Sequence, residues 1–385
     1  MKIDFKAKKR DLGQFFTTNA DYILQGFEKF VEGKTISDPF AGNRELLNWC
    51  QRNGAKTAIG FDCDKNYVDD KDVFFNDSIN LPKKYDFVCT NPPYLHKNKA
   101  SVSVKNKFFT GENSIFEDLY QVSIKALLNC NEGITIVPLN FLCAQNSQRI
   151  RNLFFEKFEI VKLNIFTKQV FDDTTYNVVA FYFKKKSISI DKNFVSTLIL
   201  PEGKKIELIF EKKFGWQYGG DFIRKIRSAK NELGIFRLTD NFIDTGDCET
   251  EIALQNIKDR RIFKTSSAVK KILEKNILFL RAIDSKNGKK IQLEDIRDYK
   301  ITGLAGKNTS RNMAHLLFKK EIPIDEQIEL MESFNEKLSE NREKYCSFFL
   351  TNFRDNNRKR ISFDLAYKLL NLIYHEKNRN QPSLF

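Results

Sequence analysis

Tyr85-Asp86-Phe87-Val88-Cys89-Thr90-Asn91-Pro92-Pro93-Tyr94 is a short apolar strand pattern that runs straight into a stiff polar corner. Two prolines fix φ and remove two amide donors, so the backbone leaves the strand end extended and rigid. Such a corner holds one carboxamide, Asn91, one carbonyl, Pro92, and one aromatic face, Tyr94, around a flat amino-bearing group such as adenine. Asn and Pro also build ordinary turns. The upstream sequence has to separate the two readings.

From residue 35 to residue 184 strand patterns alternate with helical ones. Strands are expected at 35–38, 57–62, 73–75, 85–90, 133–137, 160–166 and 177–183, with helices at 44–53 and 117–128 among those between them. That alternation predicts a doubly wound α/β domain with a seven-stranded, mostly parallel sheet. The last two strands are separated by about ten residues, so an antiparallel hairpin is expected at one edge.

Asp38-Pro39-Phe40-Ala41-Gly42 follows the first strand and opens the helix beginning near Arg44. Gly42 lets the backbone approach a ligand, and Asp38 at the strand end can accept hydrogen bonds. The three-glycine dinucleotide fingerprint is absent and no Lys-Ser/Thr pair follows, which argues against a pyrophosphate ligand. Asp62 ends the second strand, where a carboxylate can clamp two ribose hydroxyls, and Asp77 follows the third, where it can accept from an amino group. Each acid alone is also an ordinary cap or turn residue. Three on successive strands converge on one crevice.

With these residues in place, the chain resembles the γ class of S-adenosylmethionine-dependent DNA adenine-N6 methyltransferases of Type II restriction–modification systems. The segment Gly13-Gln14-Phe15-Phe16-Thr17-Thr18 resembles that family's N-terminal cofactor-lid motif, and Asp38–Gly42 its methionine-binding turn. Asp62 and Asp77 fall where the family has its ribose and adenine acids, and Asn91–Tyr94 matches its catalytic NPPY tetrapeptide. The likeness continues through Asp118-Leu119-Tyr120, the stretch 137–142 and Val170-Phe171, and Asn43-Arg44 departs from the further small residue that many relatives carry. It implies cofactor contacts from Phe15, Thr17, Asp38, Pro39, Phe40, Ala41, Gly42, Asp62, Asp77 and Asn91. It also implies a target adenine flipped out of the duplex, stacked on Tyr94 and supported by Phe171, with Asn91 and Pro92 accepting its two N6 hydrogens while Pro93 stiffens the corner. Double-stranded DNA and a cognate restriction endonuclease acting on the same site are the partners implied. RNA adenine and protein-glutamine methyltransferases share the tetrapeptide, and a non-catalytic DNA-binding protein is the reading of another class.

The chain has 385 residues, 41% hydrophobic and 30% charged, which suits a soluble protein of two domains. We expect a catalytic domain over 1–186, ended by Lys184-Lys185-Lys186, and a mixed α+β target-recognition domain over 187–385. No apolar run approaches the roughly 18 residues of a membrane span, and the first residues lack a signal-peptide core, so a cytoplasmic protein with no membrane partner is expected. Seven scattered cysteines without a Cys-x-x-Cys pair read as reduced buried thiols, and three dispersed histidines predict no metal. His96, two residues past Tyr94, reads as a solvated or phosphate-contacting side chain rather than a base. The net charge is +14, and residues 187–385 hold 37 Lys/Arg against 28 Asp/Glu, a surplus of +9. Such a surplus suits a polyanion. In that half the stretch 303–312 is a candidate phosphate or base contact, and the run 354–360 reads as a solvated face.

Overall fold

The computed structural model describes residues 13, 17–171, 177–286, 288–353 and 355–380. The chain divides into two compact units, one ending at Gly220 and one beginning at Asp221.

The first unit is built on a nine-stranded sheet in the order β3-β2-β1-β4-β5-β7-β6-β8-β9. Its strands are β1 (Thr35–Asp38), β2 (Thr57–Asp62), β3 (Val73–Phe75), β4 (Phe87–Thr90), β5 (Glu132–Pro138), β6 (Phe158–Phe166), β7 (Val178–Lys185), β8 (Lys192–Leu200) and β9 (Lys204–Glu211). Strands β1 to β5 pair in parallel, and β4 is buried along its whole length, as a strand covered on both faces must be. The antiparallel β7 sits between β5 and β6.

The seven expected strands are therefore present, with two more outside them. Strands β6 and β7 are antiparallel as predicted, but they do not form an edge. Strand β8 continues the sheet in parallel with β6, and β9 returns antiparallel to β8. The boundary expected after Lys186 thus falls inside this sheet. The cause is local: β8 alternates buried and exposed residues from Lys192 onward, and its buried Asn193 bonds to β6 just ahead of the β6–β8 pairing that begins at Lys162. There the Asn193 carboxamide accepts from the Ile160 amide at 2.8 Å and donates to the Ile160 carbonyl at 2.8 Å. One side chain satisfies both backbone groups of Ile160, where β8 has not yet begun to pair with β6.

Phenylalanine dominates this core. Phe154, on the helix Gln148–Lys157, meets Phe141, Phe155 and Phe183 edge-on, with ring centroids 5.2–5.5 Å apart. The same helix carries Arg151, fully buried, whose guanidinium donates to the carbonyls of Phe141, Ala144 and Gly215. It closes the segment after β9 onto the helical layer.

The second unit holds a four-stranded sheet β10-β16-β13-β14, a three-stranded sheet β12-β11-β15 and the hairpin β17-β18. Here β10 is Phe236–Arg237, β11 Cys248–Leu254, β12 Arg260–Thr265, β13 Leu278–Arg281, β14 Gln292–Asp295, β15 Gly303–Ala305, β16 Met313–Leu317, β17 Thr351–Phe353 and β18 Asp355–Arg360. Helices Ile324–Lys344 and Phe363–Asn380 pack Leu330, Phe334, Leu369 and Leu370 into one core with β13 and β16. Asp284 is buried and accepts from both terminal nitrogens of Arg342 and from the amides of Ile291 and Lys359. In the run read as a solvated face, Lys359 is only 7% exposed and its ammonium lies over the Phe348 ring. Arg354 lies outside the described residues.

All seven cysteines are free, but only Cys50, Cys89 and Cys130 are buried and Cys63 is exposed, so the expectation of uniformly buried thiols holds for three. Among the described residues no helix is long and apolar enough to cross a membrane, and no group of three or more His, Cys, Asp or Glu could hold a metal ion.

Arg151→Ala leaves several buried carbonyls without their donor and should cost the first unit about 3 kcal/mol. Urea unfolding followed by the fluorescence of Trp49 and Trp216, both in that unit, measures it; an unchanged midpoint would contradict the anchoring role.

Candidate active site

At the carboxyl ends of the parallel strands the first unit opens a cleft of about 840 Å³, solvent at its mouth included. Its shape begins with a close approach. A Cβ on Gly60 of β2 would lie 2.5 Å from the Ala41 Cβ, so only glycine lets the turn after β1 rest on β2. Within that turn Gly42 has a φ of 47°, and Arg44 also adopts the left-handed conformation, with a φ of 70°. Arg44 stands where relatives were expected to carry a further small residue. Its guanidinium pairs with Asp69 at 2.7 Å and Asp72 at 3.7 Å, which offsets a backbone geometry that disfavours a β-carbon.

Three carboxylates face this turn in different electrostatic states. Asp38 is 1% exposed and accepts from the Thr90 hydroxyl at 2.5 Å and the Phe40 amide at 3.0 Å. Burial pushes its carboxyl up to about 7, against the pull of those two donors. Asp62 accepts from the Gly42 amide at 3.0 Å and the Asp64 amide at 2.8 Å, and burial raises it despite them. At Asp77 burial also opposes ionisation, but hydrogen bonds from Asn80 and from Lys107, at 3.1 Å, win and hold it below its ordinary value. Two raised acids favour a ligand that brings positive charge or hydroxyl donors.

The corner after β4 forms the neighbouring wall. The Asn91 carboxamide donates to the Thr17 hydroxyl at 3.0 Å and accepts from the Tyr94 hydroxyl. The one hydrogen of that hydroxyl is shared with the Ile136 carbonyl, 2.8 Å away, and the ring, 2% exposed, meets Tyr120 edge-on at 6.5 Å. The Tyr94 amide donates to the Gly13 carbonyl at 2.9 Å, and a Cβ on Gly13 would fall 2.6 Å from the Tyr94 carbonyl oxygen. The N-terminal segment is thus laid against the corner at Gly13 and again at Thr17.

Thr17, Asp38, Pro39, Phe40, Ala41, Gly42, Asp62, Asp77, Asn91 and Pro93 all line the cleft. Pro92, Tyr94 and Phe171 are buried outside its lining. Phe15 lies outside the described residues. Sequence reasoning missed Asn76, Ser78, Ile79, Phe108 and Leu119, which complete the wall. Leu119 had a signal in the stretch 118–120, whereas Phe108 and Ile79 sit in segments without periodicity. Cys63, exposed as a residue, also reaches the cleft, where desolvation of its thiol and the neighbouring Asp62 push it up to about 11 and favour the protonated form near neutrality. His96 stands apart: its ring accepts from the Asn98 amide at 3.1 Å and lies 4.0 Å from Glu117.

Residues 14–171, which contain every residue lining the cleft, match the family described as Eco57I restriction-modification methylase. No curated protein sequence matches the chain. Among solved structures, the type IIL restriction-modification enzyme MmeI, determined in complex with DNA, is 13% identical with a TM-score of 0.50 over 94% of this chain and 64% of that one. The type IIG restriction endonuclease BpuSI is 11% identical, with a TM-score of 0.46 over 97% of this chain and 62% of that one. A modification subunit of a putative type I restriction enzyme from Vibrio vulnificus YJ016 is 15% identical, with a TM-score of 0.39 over 50% of this chain and 49% of that one. The chain therefore spans about half the length of the Vibrio protein and under two thirds of the other two. At these identities the likeness is one of fold alone: a mixed α/β fold with a large, mostly parallel sheet and a further domain.

The state of Asp38 gives the ligand-free protein a pH signature. Its folded value lies above that of an ordinary carboxyl, so the stability it confers is complete below about pH 4 and drains as pH rises through about 7. The unfolding free energy should fall between about pH 4 and pH 7, by at most about 4 kcal/mol. Asp38→Asn, which keeps an acceptor for Thr90, should flatten that fall, and a slope equal to that of the unmodified protein would rule the assignment out.

Proposed function

We propose that this chain is a site-specific DNA methyltransferase that moves a methyl group from S-adenosylmethionine to N6 of an adenine flipped out of duplex DNA. Protection of host DNA beside a cognate endonuclease is its role in this reading, and the second unit serves as the target-recognition domain. The observation that carries it is the single cleft in which Asp38, Asp62 and Asp77 stand beside Asn91 at the end of β4.

The residues fit the donor. Asp38 and Asp62, both raised by burial, gain from a positively charged or hydroxyl-bearing neighbour. Asp62 in this reading takes the ribose hydroxyls, Asp77 and Ile79 the adenine end, and the turn 38–42 the amino-acid end. When bound, the donor supplies a methyl group on a sulfonium, already an activated electrophile. The protein then has to position and desolvate more than to ionise.

Asn91 and the Pro92 carbonyl accept the two N6 hydrogens, which keeps the nitrogen lone pair out of the ring and aimed at the incoming carbon. Thr17 holds the Asn91 carboxamide from one side and Tyr94 from the other, so the acceptor is oriented before the base arrives. Stacking on Tyr94 requires that ring to be uncovered first, because it is 2% exposed against Tyr120. Base extrusion costs a few kcal/mol. Stacking returns roughly 1–3 kcal/mol of it.

Tritiated methyl transfer from the donor should appear in duplex DNA and not in RNA or protein. Asn91→Ala should reduce it by at least about 100-fold while leaving donor affinity within about threefold. Label in RNA or in a glutamine side chain, or full activity in the variant, would overturn the reading.

A further inference from the structure

The turn between β11 and β12 and the loop after β15 leave the second unit side by side. Strand β15 runs parallel to β11, with Leu254 opposite Ala305, so the chain leaves both strands at the same end of the sheet. The Gln255 amide, the first beyond β11, donates to the Ala305 carbonyl at 2.8 Å. Both segments have fixed backbones. The Asn256 carboxamide oxygen accepts from the amides of Lys258 and Asp259, and the Arg237 guanidinium donates to the carbonyls of Asn308 and Ser310.

Their side chains, by contrast, point outward. Lys258, Arg260, Lys264, Lys307 and Arg311 are exposed, and Ile262, between the basic residues of β12, is 71% exposed. Segments 256–264 and 306–311 together hold six Lys/Arg (258, 260, 261, 264, 307 and 311) against one acid, Asp259. Beyond them, among the described residues, Glu251 alone pairs with this set, at 3.9 Å from Arg260. Strand β12 is the outermost strand of its sheet.

We infer that the turn after β11, the β12 edge and the loop after β15 form the surface that docks on duplex DNA at its major groove, the turn and loop facing the groove and the β12 edge the phosphates. This rests on the duplex-DNA reading above. Lysines and arginines along one edge neutralise phosphates, while Asn308 and Arg311 have the donor patterns that suit adenine and guanine edges. A backbone already fixed reduces the ordering that binding must impose.

Fluorescence anisotropy of a mixed-sequence 30-base-pair duplex, titrated with the full chain over a range of salt, tests this. Lys258→Ala/Arg260→Ala and, separately, Lys307→Ala/Arg311→Ala should each weaken binding at least tenfold at low salt and reduce the slope of log K against log salt by about 1–2. Lys204→Ala/Lys205→Ala, on β9 of the other unit, should bind as the unmodified chain does. Both pairs replace exposed side chains, and an unchanged far-ultraviolet circular-dichroism spectrum and melting curve confirm that the second unit keeps its fold. Unaltered duplex binding in both pairs overturns the inference, and so does a hairpin dependence seen for single-stranded RNA but not for duplex. A chain that transfers no methyl group yet loses duplex affinity in these variants leaves the inference standing and removes only the proposed function.

Discussion

The hydrogen bond from Thr90 to Asp38 is the contact on which this site depends. It joins the last residue of β1 to the last residue of β4, neighbours in the sheet, one position before the Asn91 corner. Through Asp38 it also fixes the start of the turn, because the same carboxyl takes the Phe40 amide. Asp62 then ties the end of that turn, at Gly42, to β2. Two carboxyls and one hydroxyl thus lock three strand ends around a common opening, and each is buried where an unsatisfied polar group would be costly.

That arrangement has an electrostatic consequence. Desolvated carboxyls gathered at one crevice repel one another and resist ionisation, as the raised values of Asp38 and Asp62 record. A protein built for stability alone would replace them with apolar residues. Asp77 differs because Lys107 and Asn80 reach it. The strained Arg44, held in place by Asp69 and Asp72, follows the same pattern of local cost offset by specific pairing.

The sheet up to β7 was legible because its strands are short apolar runs bounded by polar turns, and because acids fall at successive strand ends. The cleft was legible for the same reason: Asp38, Asp62, Asp77 and Asn91 are chemically unusual residues at positions where strands stop. What escaped was set by packing. Lys184-Lys185-Lys186 looked like a linker, yet two of those lysines end β7 and the sheet resumes at Lys192. The alternation of β8 was present in the sequence, but the polar stretch 184–191 before it read as the end of a domain. The contacts of the Tyr94 hydroxyl with the Ile136 carbonyl and of its ring with Tyr120 join residues far apart in the chain and leave no local signal. In the second unit, the pairing of β11 with the distant β15 could not be seen from local pattern at all.

The central claim is that the strand-end acids and the Asn91 corner make one nucleoside-binding cleft, and titration calorimetry with S-adenosylmethionine tests it most directly. The full chain should bind the donor at one site, and Asp62→Ala should weaken that binding at least tenfold, the loss of a charged hydrogen bond of about 1.5–3 kcal/mol. Equal affinity in the two proteins, or no binding by either, would contradict it.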